Sequence, residues 1–194
     1  MKPSHHRVVD THAHLCDPVF DTDRSAVIKR ARAAGVGAII TVSEDLSDAK
    51  RNIELNENHP ELRPAAGLYP TCLDLKKAQE MSSFIRNERN KLVAIGEVGL
   101  DYWVIKEKSQ REMQQEIFVS FIHLAMELDL PINVHSRSAG HHAIALLLEH
   151  NAIKVQLHAF DGKISTALPA VEAGFFFSIP PSIVRSRQKQ KMVN

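Results

Sequence analysis

PINVHSRSAGHHAIALLLEHNAIKVQLHAF, residues 131–160, is the stretch that separates the possible fold classes. PINVHS reads as a strand from its branched apolar run, AGHHAIALLLEHN as a helix and KVQLHAF as a second strand. Two strands joined through a helix make a βα unit, the repeating element of parallel sheets. The same alternation runs outward in both directions. Upstream, RVVDTH is a strand, followed by DTDRSAVIKRARAAG, a helix opened by the cap-forming Asp and Thr and stopped at Gly35. VGAIITVS, LRPAAGLYP and LVAIGEVGLD are strands. SDAKRNIELNENHP, ending before Pro60, and LKKAQEMSSFIRNERN are the helices between them. SQREMQQEIFVSFIHLAMELDL is the clearest helix, with Ser109 and Glu112 in a capping-box pattern. Downstream, ISTALPAVEAG reads as a helix despite Pro169 and FFFSIPP as a seventh strand. The tail to Asn194 reads as a helix from near Ser182.

Polar residues collect at the ends of these strands. His12 and His14 close strand one, Glu97 strand four, His135 strand five and His158 strand six. In a closed parallel barrel such ends share one rim, whereas in an open doubly wound sheet only strands beside the switch point meet. No GxGxxG follows strand one, which argues against a dinucleotide fold. The expectation is an α/β fold of the TIM type.

Residues two apart on a strand point to the same side, so His12 and His14 aim into one space. Glu97 sits in AIGEVG, a glycine-flanked and otherwise apolar run. Burying its carboxylate unpaired would cost several kcal/mol, so it needs a cationic partner. Imidazole and carboxylate ligands suit zinc, manganese or iron. One ion needs about four ligands with a position left open. A bridging carboxylate could instead hold two ions ~4 Å apart, which lowers the pKa of bound water and suits in-line phosphoryl displacement. Of the other histidines, His5, His6 and His59 read as exposed and His123 as packed or half exposed. His141, His142 and His150 belong to the helix after strand five, with the first two near its start, where they could face the site.

The chain has 194 residues, a formal charge of +1, 44% hydrophobic and 24% charged residues. These values fit one folded domain over residues 1–194. The N-terminus MKPSHHRVVD lacks the apolar stretch of a secretory signal, and the longest plain apolar run, AIALLL at 143–148, is far short of the ~20 residues that span a bilayer. The expected location is cytoplasmic or nuclear, without membrane contact. Cys16 and Cys72 form neither a disulfide framework nor a CxxC pair. Near-neutral charge excludes a general nucleic-acid coat, so any DNA contact must be a local pocket. RSRQKQK at 185–191 reads as a solvated helix face.

DTHAHL, AIGEVGLD, PINVHSRSAG, LHAFDG and GFFFSIPPS, in this order and spacing, resemble the TatD family of metal-dependent deoxyribonucleases within the amidohydrolase-like (β/α)8 barrels. INVHSRSAG and FFFSIPPSIVRS are most similar to the animal TatD-domain-containing branch. The resemblance implies that His12 and His14 hold one divalent ion, that His135 and His158 hold a second, and that Glu97 bridges the two. It implies magnesium, manganese or zinc as the cofactor. Arg137, in HSR, would face a phosphate, which its fork of donors suits. The implied substrate is DNA, cut from 3′ ends or at abasic sites, with no obligate protein partner.

Two departures qualify the match. Relatives usually carry G-x-H-P after strand three; here GLYP places Tyr69 where the histidine would sit. A tyrosine can donate a hydrogen bond or stack on a base, but it cannot carry an imidazolium charge near neutral pH. The family's final TDSP-like motif after strand eight has no counterpart before Asn194. A complete barrel usually takes ~250 residues, and the chain reads as about one and a half βα units short. Strands one and seven are then expected to present unpaired edges, and these residues alone to be poorly soluble or weakly active. Glu97 is the only matched carboxylate left to position a water. Three functions follow: a metal-dependent DNA phosphodiesterase, a hydrolase of C–N or ester bonds on the same rim, or a truncated isoform that binds metal without turnover.

Overall fold

A computed structural model describes residues 8–160 and 162–193; His5, His6, Asp161 and Asn194 lie outside them. Strands and helices alternate as β1 Val8–Ala13, α1 Arg24–Ala33, β2 Val36–Thr41, α2 Leu46–Asn58, β3 Leu62–Ala66, α3 Leu75–Asn87, β4 Ala94–Gly99, α4 Lys108–Glu127, β5 Ile132–His135, α5 Gly140–Glu149, β6 Val155–Leu157, α6 Ile164–Glu172, β7 Phe176–Phe177 and α7 Arg187–Val193. The strands form one parallel sheet in chain order, β1 to β7, curled into the arc of a TIM-type barrel. Each connection returns the chain to the same end of the sheet, so every strand finishes on one rim.

The helices cover the outer face. Phe118, Phe121 and Ile122 of α4 are fully buried with Ile95 of β4, Ile132 and Val134 of β5 and Leu157 of β6. The inner face carries a separate, smaller cluster of Val42, Ala65 and Ala94, with Ile40 packed against it. Neighbours on a strand point to opposite faces. Ala66 therefore packs under the helices while Ala65 lines the inside, which is why its strand is apolar on both faces.

β1 and β7 are the two ends of the sheet. Val8, Val9 and Phe176 stand exposed along them, apolar edges with no further strand beside them among the described residues. Among the described residues no helix is long and apolar enough to cross a membrane.

Three local readings change. α4 begins one residue before Ser109, with Glu107 as its cap and no side-chain cap bond, so Ser109 and Glu112 do not form a capping box. α1 begins at Arg24, after a short 3-10 turn at Pro18–Phe20 in which the Asp17 carboxylate accepts from the Val19 amide. The tail is a 3-10 turn at Pro181–Val184 followed by α7, rather than one helix from Ser182. The arginines of its basic cluster, Arg185 and Arg187, are solvent-exposed.

Candidate active site

The rim brings His12, His14, Glu97, His135 and His158 into one cluster. Glu97 lies at its centre with only 2% of its side chain exposed. Its two oxygens face different histidines. Oε1 is 2.6 Å from His135 Nδ1 and 3.1 Å from His158 Nε2. Oε2 is 3.3 Å from His14 Nε2 and 3.6 Å from His12 Nε2. The imidazoles crowd one another as well: His158 Nδ1 is 2.8 Å from His12 Nδ1, and His12 Nε2 is 3.2 Å from His14 Nε2.

The backbone that carries Glu97 is tied to neighbouring strands. The Ser43 amide donates to the Gly96 carbonyl and the Glu97 amide to the Ser43 carbonyl. The buried Ser43 hydroxyl donates to the Gly67 carbonyl and accepts from the Gly67 amide. The Gly96–Glu97 peptide bond is cis. The ends of β2, β3 and β4 thus form one polar lacing directly beneath the carboxylate.

Outer partners aim two of the four rings, His12 and His135, and a carboxylate lies near a third. His12 Nδ1 is 2.9 Å from Asn133 Oδ1, while Asn133 Nδ2 donates to the Thr11 carbonyl at 2.7 Å and so ties β5 to β1. His135 Nε2 is 3.2 Å from Asp101 Oδ2, and Asp101 is fully buried. His14 Nδ1 is 3.6 Å from Glu44 Oε1. Such partners fix which ring nitrogen turns inward. Asn133, Asp101, Glu44 and Ser43 are site residues that the strand-end reading misses. Asn133 had a signal, a polar residue two positions before His135 in an apolar strand and hence on the same face. Asp101 had one too, closing the AIGEVGLD motif itself. Glu44 and Ser43 follow an unremarkable strand in TVSED and carried none.

The electrostatics follow from burial and from one central anion. Burial pushes the Glu97 carboxyl upward, but contact with His135 and His14 and the nearby His12 outweigh it and hold the group well below the usual carboxylate range. Burial pushes His12 down, and it pushes His158 down to about 3 with His12 adding to the effect. His14 is raised, chiefly by Glu97. At His135 burial opposes the charged form, yet Glu97 and Asp101 together raise it. A buried carboxylate among imidazoles thus recruits positive charge, from a proton or from a metal ion. Glu97 Oε2 and His14 Nδ1 are buried polar atoms without a hydrogen-bond partner among the described residues. Two groups of ligand atoms lie close enough to share an ion: His12, Glu97 and His158, and His14, Glu44 and Glu97.

Tyr69 and Arg137 stand at the edge of this cluster. The Tyr69 ring meets His135 edge-on at 5.3 Å, and burial with Glu97 nearby pushes its hydroxyl up to about 12, so it remains a donor. Arg137 is exposed, with its guanidinium carbon 5.1 Å from the centre of the Trp103 ring. His141 and His142 are exposed outside the cluster, His142 beside the Tyr102 ring. His123 is exposed and pairs with His150 at 3.0 Å.

The chain as a whole is similar to known proteins. The family model described as TatD related DNase matches residues 9–194. The human deoxyribonuclease TATDN3 is 42% identical over 198 residues, which cover 96% of this chain and 72% of the human one. The metal-dependent hydrolase YabD of Bacillus subtilis is 36% identical over 194 residues, covering 95% and 73%. The crystal structure of YJJV, a TatD homologue from Escherichia coli, superposes with a TM-score of 0.87 at 29% identity, over 97% of this chain and 74% of that one.

Proposed function

This chain belongs to the TatD-related DNase family, and from that premise we propose that it hydrolyses DNA phosphodiester bonds with metal-activated water, as a 3′-exonuclease, an abasic-site endonuclease or both. One observation carries the reading: the buried Glu97 meets His12 and His14 with one oxygen and His135 and His158 with the other, all in one cluster. Glu97 and these histidines would hold divalent metal, magnesium, manganese or zinc, as nitrogen and oxygen ligands. The orphaned Glu97 Oε2 and the all-nitrogen-and-oxygen donor set support the fit. When bound, such ions lower the pKa of water and neutralise charge on a phosphate.

The chain's own residues have defined tasks in this scheme. Glu97 stays anionic and accepts a hydrogen bond from the attacking water, fixing its approach. Arg137 offers paired donors to the phosphate from the rim. Tyr69, kept protonated, donates a hydrogen bond to a phosphate oxygen or meets a base with its ring.

Single-stranded DNA and a duplex with one abasic site, incubated with manganese, are expected to be cut, with cutting abolished by EDTA and restored by added manganese. Amide and carboxylic-ester substrates run in parallel should remain intact. Turnover of those substrates with DNA left whole would refute the proposal, as would bound metal without cutting of any strand.

The outer partners predict a graded effect. Asp101→Asn keeps an acceptor for the loop but removes the anion behind His135. Manganese affinity by calorimetry is expected to fall about 10–100-fold. Unchanged affinity would show that Asp101 does not aim that ring.

A further inference from the structure

Trp103 is the only tryptophan in the chain. It lies on the loop between β4 and α4 with 58% of its surface exposed, beside the exposed Val104. Neither is packed into the core, yet the loop is firmly held. The Trp103 and Val104 amides both donate to Asp101 Oδ1 at 2.9 Å. The other oxygen of the same buried carboxylate faces His135 Nε2. The Tyr102 amide donates to the Arg137 carbonyl at 3.0 Å, joining this loop to the one after β5. The backbone that carries the indole is therefore tied to the residues around the histidine cluster.

Two cations lie over the ring. The Arg137 guanidinium carbon is 5.1 Å from its centre and Lys106 Nζ is 5.4 Å from it. Lys106 is held by a bond to the Tyr102 carbonyl at 3.0 Å. An exposed aromatic ring that carries positive charge over it matches a nucleotide unit, which pairs an aromatic face with an anionic backbone. A base paired inside a duplex has its faces covered, so the matching ligand is an unpaired one.

We propose that Trp103 is a stacking platform for an unpaired nucleobase next to the scissile phosphate, with Lys106 and Arg137 holding the backbone beside it. This rests on DNA being the substrate. It adds a base-contacting group that the metal ligands alone do not supply.

Trp103 reports on itself by fluorescence. Titration with a 5′-fluorescein-labelled hexathymidylate is expected to quench it. A hexamer of the same charge built from abasic sugars should leave the emission unchanged and bind more weakly. Trp103→Ala should weaken hexathymidylate binding and raise its KM by roughly tenfold or more, with abasic-hexamer binding unaltered, and Trp103→Phe should recover most of the loss. Equal quenching by both hexamers, or full affinity in Trp103→Ala, would overturn the platform while leaving DNA hydrolysis standing. If neither hexamer changes the anisotropy of its label, the DNA reading fails and the platform with it.

Discussion

Glu97→Gln is expected to weaken divalent-metal binding by about 10²–10³-fold and to abolish hydrolysis, with the fold retained. The substitution preserves size and shape, so packing around β4 should survive. It removes the one anion among the described residues that faces all four histidines, at a side chain 2% exposed. Removing one partner from a buried charge cluster costs about 3–5 kcal/mol, the lower part of which is equivalent to that loss of affinity. A second readout follows from the direction of the shifts. Glu97 is the chief cause of the raised pKa at His14 and the main group opposing burial at His135. Without it, both should titrate at lower pH, visible by NMR of the imidazoles. In the parent protein protons compete with metal at these two rings, so affinity should begin to decline above pH 6.5 as the pH falls. Retained manganese occupancy in Glu97→Gln would remove the basis of the proposed mechanism.

Gly99→Ala is expected to destabilise the protein by about 3 kcal/mol or more and to weaken metal binding with it. Gly99 has a φ of +143°, and an added Cβ would lie 2.1 Å from the His135 carbonyl oxygen. Backbone strain and overpacking each cost about 1–3 kcal/mol. The carbonyl cannot simply retreat, because it accepts the Leu100 amide at 3.0 Å and Gly99 pairs with His135 across the sheet. Displacement would carry His135 away from Glu97. For a chain of this size the melting temperature should fall by about 6–12 °C. Gly35→Ala is the matched control, since Gly35 has a φ of +98° with nothing within 4 Å of an added Cβ. It should show only the conformational cost, about 1–2 kcal/mol, and bind manganese like the parent. A Gly99→Ala protein that melts with the Gly35→Ala control would show that the contact relaxes freely.

How much of this was legible beforehand differs by residue. The order of strands and helices could be read from β-branched runs alternating with helical segments ended by Gly35, Pro60 and their like, because those signals act within a few neighbours. The strand ends that bear His12, Glu97, His135 and His158 followed from the same reading, and parallel connectivity places them on one rim. Helix starts were less certain. Ser109 carries a capping motif, yet α4 starts around it at Lys108, since a cap depends on backbone angles that the motif does not dictate.

The amino-acid order by itself determined the βα alternation, the parallel rim and the residue types gathered on it, because each rests on short-range periodicity. Only the tertiary structure decided which Glu97 oxygen meets which histidine pair. It also decided that Asp101, Asn133 and Glu44 stand behind the imidazoles and that Arg137 lies against Trp103. Those relations join positions as far apart as His12 and Asn133, and their geometry is set by how the sheet curls, which no local pattern encodes.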